Sequence, residues 1–92
     1  MIETFGDKQT EKIWKGKRHK FPVEIENRAA NKLKLLDAAI TLDDLRIPPG
    51  NHLELLKGDR ADQHSIRINN QFRLCFQWND GNPRNVEITD YH

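Results

Sequence analysis

Phe72, Leu74, Phe76 and Trp78 alternate without a break with Arg73, Cys75 and Gln77. A period of two sends successive side chains to opposite faces of a pleated strand, so one face of this segment is apolar and packed. The other face then carries a guanidinium, a thiol and an amide. Such a strand needs neighbours, and the surrounding sequence supplies them. Asn69-Asn70-Gln71 is a turn leading back to a strand over 64–69 with Ile66 and Ile68 on one face. Asn79-Asp80-Gly81-Asn82-Pro83 returns the chain to Val86 and Ile88, and His52 to Lys57 reads as a further strand closed by Gly58-Asp59.

Upstream of Pro48-Pro49-Gly50 the period changes. Ile25, Ala29, Leu33, Leu36 and Ile40 recur at helical spacing and lay one apolar stripe along a helix that begins near Pro22. Thr41 is placed to cap one more turn, Leu42 to Leu45, with Asp43 and Asp44 at the positive end of its dipole. Ile2 to Phe5 reads as a short first strand and Thr10 to Trp14 as a brief helix, with Trp14 in the core. The expected fold is α+β in the order β-α-α-β-β-β-β, two N-terminal helices packed on one face of a mostly antiparallel sheet. At 92 residues the expectation is a single domain over 1–92.

Charge gives little guidance in sum, since fifteen Lys+Arg against fourteen Asp+Glu leave +1. Its distribution is uneven: the run Lys15-Gly-Lys-Arg-His-Lys20 is either a soluble loop or a weak electrostatic guide for RNA. The longest aliphatic stretch is Ala38-Ala39-Ile40, and no apolar segment opens the chain, so neither a membrane span nor export is expected. One cysteine, Cys75, forms no internal disulfide, which agrees with the cytoplasm. His19, His52, His64 and His92 lack metal-ligand spacing, so no metal or other cofactor is expected.

With Phe72, Leu74, Phe76, Trp78, Ile66, Ile68, Val86 and Ile88 under the helices, the pleat puts Arg67, Arg73, Cys75, Glu87, Thr89 and Tyr91 on the opposite surface. Two readings of that surface stay open. Cationic donors and an aromatic plate suit phosphates and a stacked base. The other reading is a solvated face with cross-strand pairs such as Arg73 with Glu87, and Cys75 as a small packing residue rather than a reactive thiolate.

The segments Leu55-Leu-Lys-Gly-Asp-Arg60, His64-Ser-Ile-Arg67, Asn70-Gln-Phe-Arg-Leu-Cys-Phe76 and Val86-Glu-Ile-Thr-Asp-Tyr-His92 resemble, in order and spacing, the HigB branch of the RelE/ParE toxin superfamily. The resemblance covers essentially the whole chain and implies a RelE-like fold. It implies the toxin of a bacterial type II toxin-antitoxin pair: a ribosome-dependent mRNA endonuclease working on mRNA in the A site. The implied partners are a HigA-like helix-turn-helix antitoxin, the ribosome and, through the antitoxin, operator DNA. ParE-type relatives share the architecture and act on DNA gyrase, so a non-catalytic gyrase-binding toxin is the alternative. An antitoxin-docking regulatory partner is a third.

By matching position, Arg73 resembles the family's phosphate-binding arginine, and Asp90, Tyr91 and His92 its terminal catalytic cluster. Lys57 corresponds to a basic residue facing the message, and Arg60, Arg67 and Asn70 complete the implied RNA-binding set. Glu54 stands where better-known members carry histidine and can accept a proton but supplies no cation; His52 lies two residues away. Metal-free cleavage needs a base for the 2′-hydroxyl, a counter-charge for the phosphorane and an acid for the leaving 5′-oxygen. His92 suits proton transfer, because an unshifted imidazole titrates near pH ~6.5. Asp90 would orient it, Arg73, Lys57 and Arg67 would neutralise the phosphate, and Tyr91 would stack on the displaced nucleotide.

Overall fold

A computed structural model describes residues 1–90. Two helices, α1 (Lys8–Trp14) and α2 (Glu26–Ala38), precede four strands: β1 (Glu54–Leu55), β2 (His64–Arg67), β3 (Phe72–Asn79) and β4 (Asn82–Asp90). The strands form an antiparallel sheet in the order β1-β2-β3-β4.

The helices form where local chemistry supports them. Asp7 caps α1 by accepting from Thr10 N at 3.4 Å. A 3₁₀ turn over Val23–Ile25 leads into α2, whose buried stripe is Ala29, Leu33 and Leu36, with Ile25 just before it. This stripe packs with Ile66, Leu74, Phe76, Val86 and Ile88 in one core. The stripe stops short of its expected end: α2 finishes at Ala38, Ala39 is extended, and the lost helical phase leaves Ile40 80% exposed. Trp14 packs against the core from its edge and is only partly buried. Thr41 caps the next turn, Leu42–Arg46, in a full capping box with Asp44.

Two strand expectations need correction. Ile2 to Phe5 is no strand but a single parallel bridge between Phe5 and Val86, with flanking bonds from Glu3 N to Pro83 O and from Gly6 N to Val86 O. The cause lies in β4. It carries one residue more than β3 between the Cys75–Glu87 and Gln77–Arg84 pairs, and Asn85 is left-handed there (φ 51°), a bulge that interrupts any longer ladder. The strand expected over 52–57 shrinks to Glu54–Leu55, because His52 is left-handed after a 3₁₀ turn and Gly58 opens another. Conversely, β4 starts earlier than expected. Asp80 and Gly81 both have positive φ, so two residues suffice for the hairpin turn.

Candidate active site

The register fixes which side chains share the face away from the helices. Ser65 lies opposite Cys75 and Glu54, Arg67 opposite Arg73, Arg73 opposite Thr89, and Cys75 opposite Glu87. Directly opposed residues point to the same side of an antiparallel sheet, so Glu54, Ser65, Arg67, Arg73, Cys75, Glu87 and Thr89 belong together. The alternation assigned Arg67, Arg73, Cys75, Glu87 and Thr89 to this face correctly.

It is not an open face throughout. Cys75 is 0% exposed and Arg73 only 9%. The chain between β1 and β2 folds over the sheet: Arg60 Nη1 meets Glu87 Oε1 at 2.5 Å, and Asp62 accepts from Gln77 Nε2. Leu56 and Cys75 are buried outside the main core cluster. Burial pushes the Cys75 thiol above its ordinary value, against smaller opposing contributions from Thr89 and the Arg60 charge. Cys75 is thus a neutral packing residue. The expected Arg73–Glu87 pair does not form, because the register sets Glu87 beside Cys75 and Arg60 claims it.

Arg73 lines a hollow of about 320 Å³ together with His52, Arg67, Asn69 and Asn70. Among the described residues, two neutral oxygens hold its guanidinium. Nε donates to Ser65 Oγ at 2.7 Å, and one Nη donates to the His52 carbonyl at 2.6 Å. Glu54 Oε1 lies 4.0 Å from the other Nη. Fixing a planar guanidinium from two sides spares the entropy of ordering it when an anion arrives.

Arg67 reaches into the same hollow, donating from Nε to Asn69 O at 3.2 Å and to Asn70 Oδ1. The turn beneath is self-supporting, since Asn69 Oδ1 accepts from Gln71 N at 2.8 Å and Phe72 N at 2.7 Å. Arg73, Arg67, Asn70 and the neighbouring Glu54 are therefore brought together. Lys57 is exposed just before the 3₁₀ turn Gly58–Arg60 and does not line this hollow. Arg60 is tied to Glu87 and Gln63. Asp90 closes β4 opposite Phe72, on the helix-side face, and accepts from Gln71 Nε2 at 3.0 Å. Tyr91 and His92 lie outside the described residues.

Ser65 and Asn69 are absent from the site expected from the sequence, and His52 enters it through its backbone carbonyl. Ser65 carries a signal in hindsight: it is two residues from Arg67 on β2 and therefore on the same face.

Known proteins resemble this chain along nearly its full length. The family model described as the RelE-like toxin of the type II toxin-antitoxin system HigB matches residues 3–92. Toxin HigB-1 of Vibrio cholerae serotype O1 is 51% identical over 90 residues, covering 96% of this chain and 95% of its own. An uncharacterized protein of Haemophilus influenzae is 36% identical over 69 residues, 75% of this chain and 68% of its own. Endoribonuclease HigB of Proteus vulgaris is 29% identical over 93 residues, spanning 100% of both chains. With an α+β frame, an antiparallel sheet and a family match across nearly its full length, the chain belongs to the RelE-like HigB toxins of type II toxin-antitoxin systems, and its class implies an antitoxin partner.

Proposed function

We propose that this chain is a cytoplasmic endoribonuclease that cuts messenger RNA in the ribosomal A site without a metal, residues 1–92 acting as one domain. The observation that carries the reading is the guanidinium of Arg73, held in one orientation by Ser65 and His52 and lining a polar hollow. The name of the Proteus vulgaris relative, an endoribonuclease, supports the same class of reaction.

In this reading a phosphodiester enters the hollow and its non-bridging oxygens meet Arg73, with Arg67 and Asn70 at the rim. Glu54, 4.0 Å from the Arg73 guanidinium, accepts the proton of the 2′-hydroxyl. The 2′-oxygen attacks the adjacent phosphorus, a 2′,3′-cyclic phosphate forms, and the bond to the 5′-oxygen breaks. His92 protonates that oxygen, Asp90 orients His92, and Tyr91 stacks on the displaced base. Lys57 and Arg60 meet flanking phosphates. Arg73 aimed at the charge that develops in the phosphorane is worth about 10²–10³ in rate. The ribosome supplies orientation, which converts a slow encounter into an intramolecular step.

A HigA-like helix-turn-helix antitoxin restrains the toxin and carries the contacts to operator DNA. The test is primer extension on a defined message with purified toxin. Breaks inside codons on translated message, and none on naked RNA at equal toxin, are expected. Equal cutting of naked RNA overturns ribosome dependence, and gyrase-linked DNA breaks without message cleavage select the gyrase-binding alternative.

A further inference from the structure

A second hollow, of about 420 Å³, lies between α2 and the end of β2, lined by Arg28, Asn31, Lys32, Gly50, Arg67 and Ile68. Arg28, Asn31 and Lys32 stand at i, i+3 and i+4, so they share one face of the helix. Arg67 lines both this groove and the Arg73 hollow, so the two adjoin at its side chain.

Its charge is one-sided. Among the described residues no carboxylate lines the groove, and Arg28, Lys32 and Arg67 enter no ion pair. Lys32 and Arg67 are held by neutral acceptors instead, Lys32 by Asn51 Oδ1 and Arg67 by Asn69 and Asn70. Asn51 is itself buried and anchored, donating to Leu45 O at 3.1 Å. Burial and the neighbouring Arg28 charge also hold the Lys32 ammonium below its ordinary pKa. Three cations gathered in a groove without an acid repel one another, and an anion between them relieves that cost.

We propose that this groove binds the phosphodiester backbone of single-stranded RNA beside the nucleotide at Arg73, so that the strand runs from the Arg73 hollow past Arg67 onto α2. The proposal rests on the nuclease reading and adds a subsite to it. Arg28 and Lys32 take no part in bond breaking; they set the path of the strand and its affinity.

The probe is a fluorescein-labelled ten-nucleotide 2′-O-methyl oligoadenylate, which cannot be cleaved, bound to the full-length chain and followed by anisotropy across a salt series. The Arg28→Gln/Lys32→Gln variant should bind about tenfold more weakly, and the slope of log K against log[salt] should flatten by about 1.4, roughly 0.7 for each lost phosphate contact. Lys32→Arg, which keeps the charge, should bind as wild type. If Lys32→Gln lowers the melting temperature, Arg28→Gln alone carries the test, with a slope change of about 0.7. Unchanged affinity and slope in folded variants overturn the proposal. So does absence of wild-type binding to the probe, which would instead favour an acidic segment of a protein partner. Cleavage by Arg73→Ala separates the two readings: loss of cutting with normal binding in the groove variant keeps the nuclease site and removes the subsite, and the converse pair does the reverse.

Discussion

The two faces of the sheet bury β3 almost equally, yet they do it with different chemistry. Toward the helices, Phe72, Leu74 and Phe76 meet Ile25, Ala29, Leu33 and Leu36 in a dry core. On the far side, Arg73 and Cys75 are just as enclosed, but their surroundings are polar: Ser65, the His52 carbonyl and Glu54 beside Arg73, and the Arg60–Glu87 pair beside Cys75. The first face is closed by area, which is tolerant of detail and costly to hollow out. The second is closed by hydrogen bonds and charge, where one lost partner strands a buried polar group. Stability is therefore expected to live mainly on one face and chemistry on the other.

That division can be broken by substitutions on each side. The largest effect on folding is expected from Phe76→Ala. It empties a fully buried aromatic site, costs about 3–5 kcal/mol, and shows as a fall in the urea midpoint. Ser65→Ala should cost less, about 1–3 kcal/mol, because it leaves the Arg73 Nε–H without its 2.7 Å acceptor. Its cleavage rate should fall by roughly tenfold, since the guanidinium loses one of its holds. A Ser65→Ala enzyme with wild-type rate would mean that Arg73 needs no such support.

The smallest effect tests an exception on the helix side. His64 is partly buried, stacks on Phe76 with ring centroids 6.2 Å apart, and has no partner at Nδ1 among the described residues. Burial lowers its pKa from 6.5. The folded state thus takes up the proton less readily than the unfolded state, so this contribution is complete above pH 6.5 and is lost as the pH falls below it. Urea midpoints of the wild type should decline as the pH falls below 6.5, and His64→Phe should flatten that decline. An identical slope in both proteins would assign the acid sensitivity to other groups.

How much of this was legible depends on whether the cause was local. The alternation of Phe72 to Trp78 carries its own face assignment, and Thr41 with Asp44 carries its own cap; both appear as read. The placement of Arg67 beside Arg73 follows from the short Asn69-Asn70-Gln71 turn. Exposure was not legible in the same way. The alternation says which way Cys75 points, but its cover comes from residues 56–63, which have no period to read. Glu54 reaches Arg73 only because β1 pairs with β2 across a long connection. Ile40 fails because α2 ends two residues before it, a boundary that spacing alone does not mark. Of the terminal cluster expected from the resemblance, Asp90 is seen to bond Gln71, while Tyr91 and His92 lie outside the described residues.

If the Arg73 guanidinium is the counter-charge for message cleavage, the cleavage rate of Arg73→Ala on translated message reads it directly. Circular dichroism and the urea midpoint should be followed alongside to establish that the variant is folded. The expected result is a folded protein whose cutting falls by about 10²–10³. A folded Arg73→Ala toxin that cuts at the wild-type rate would contradict it.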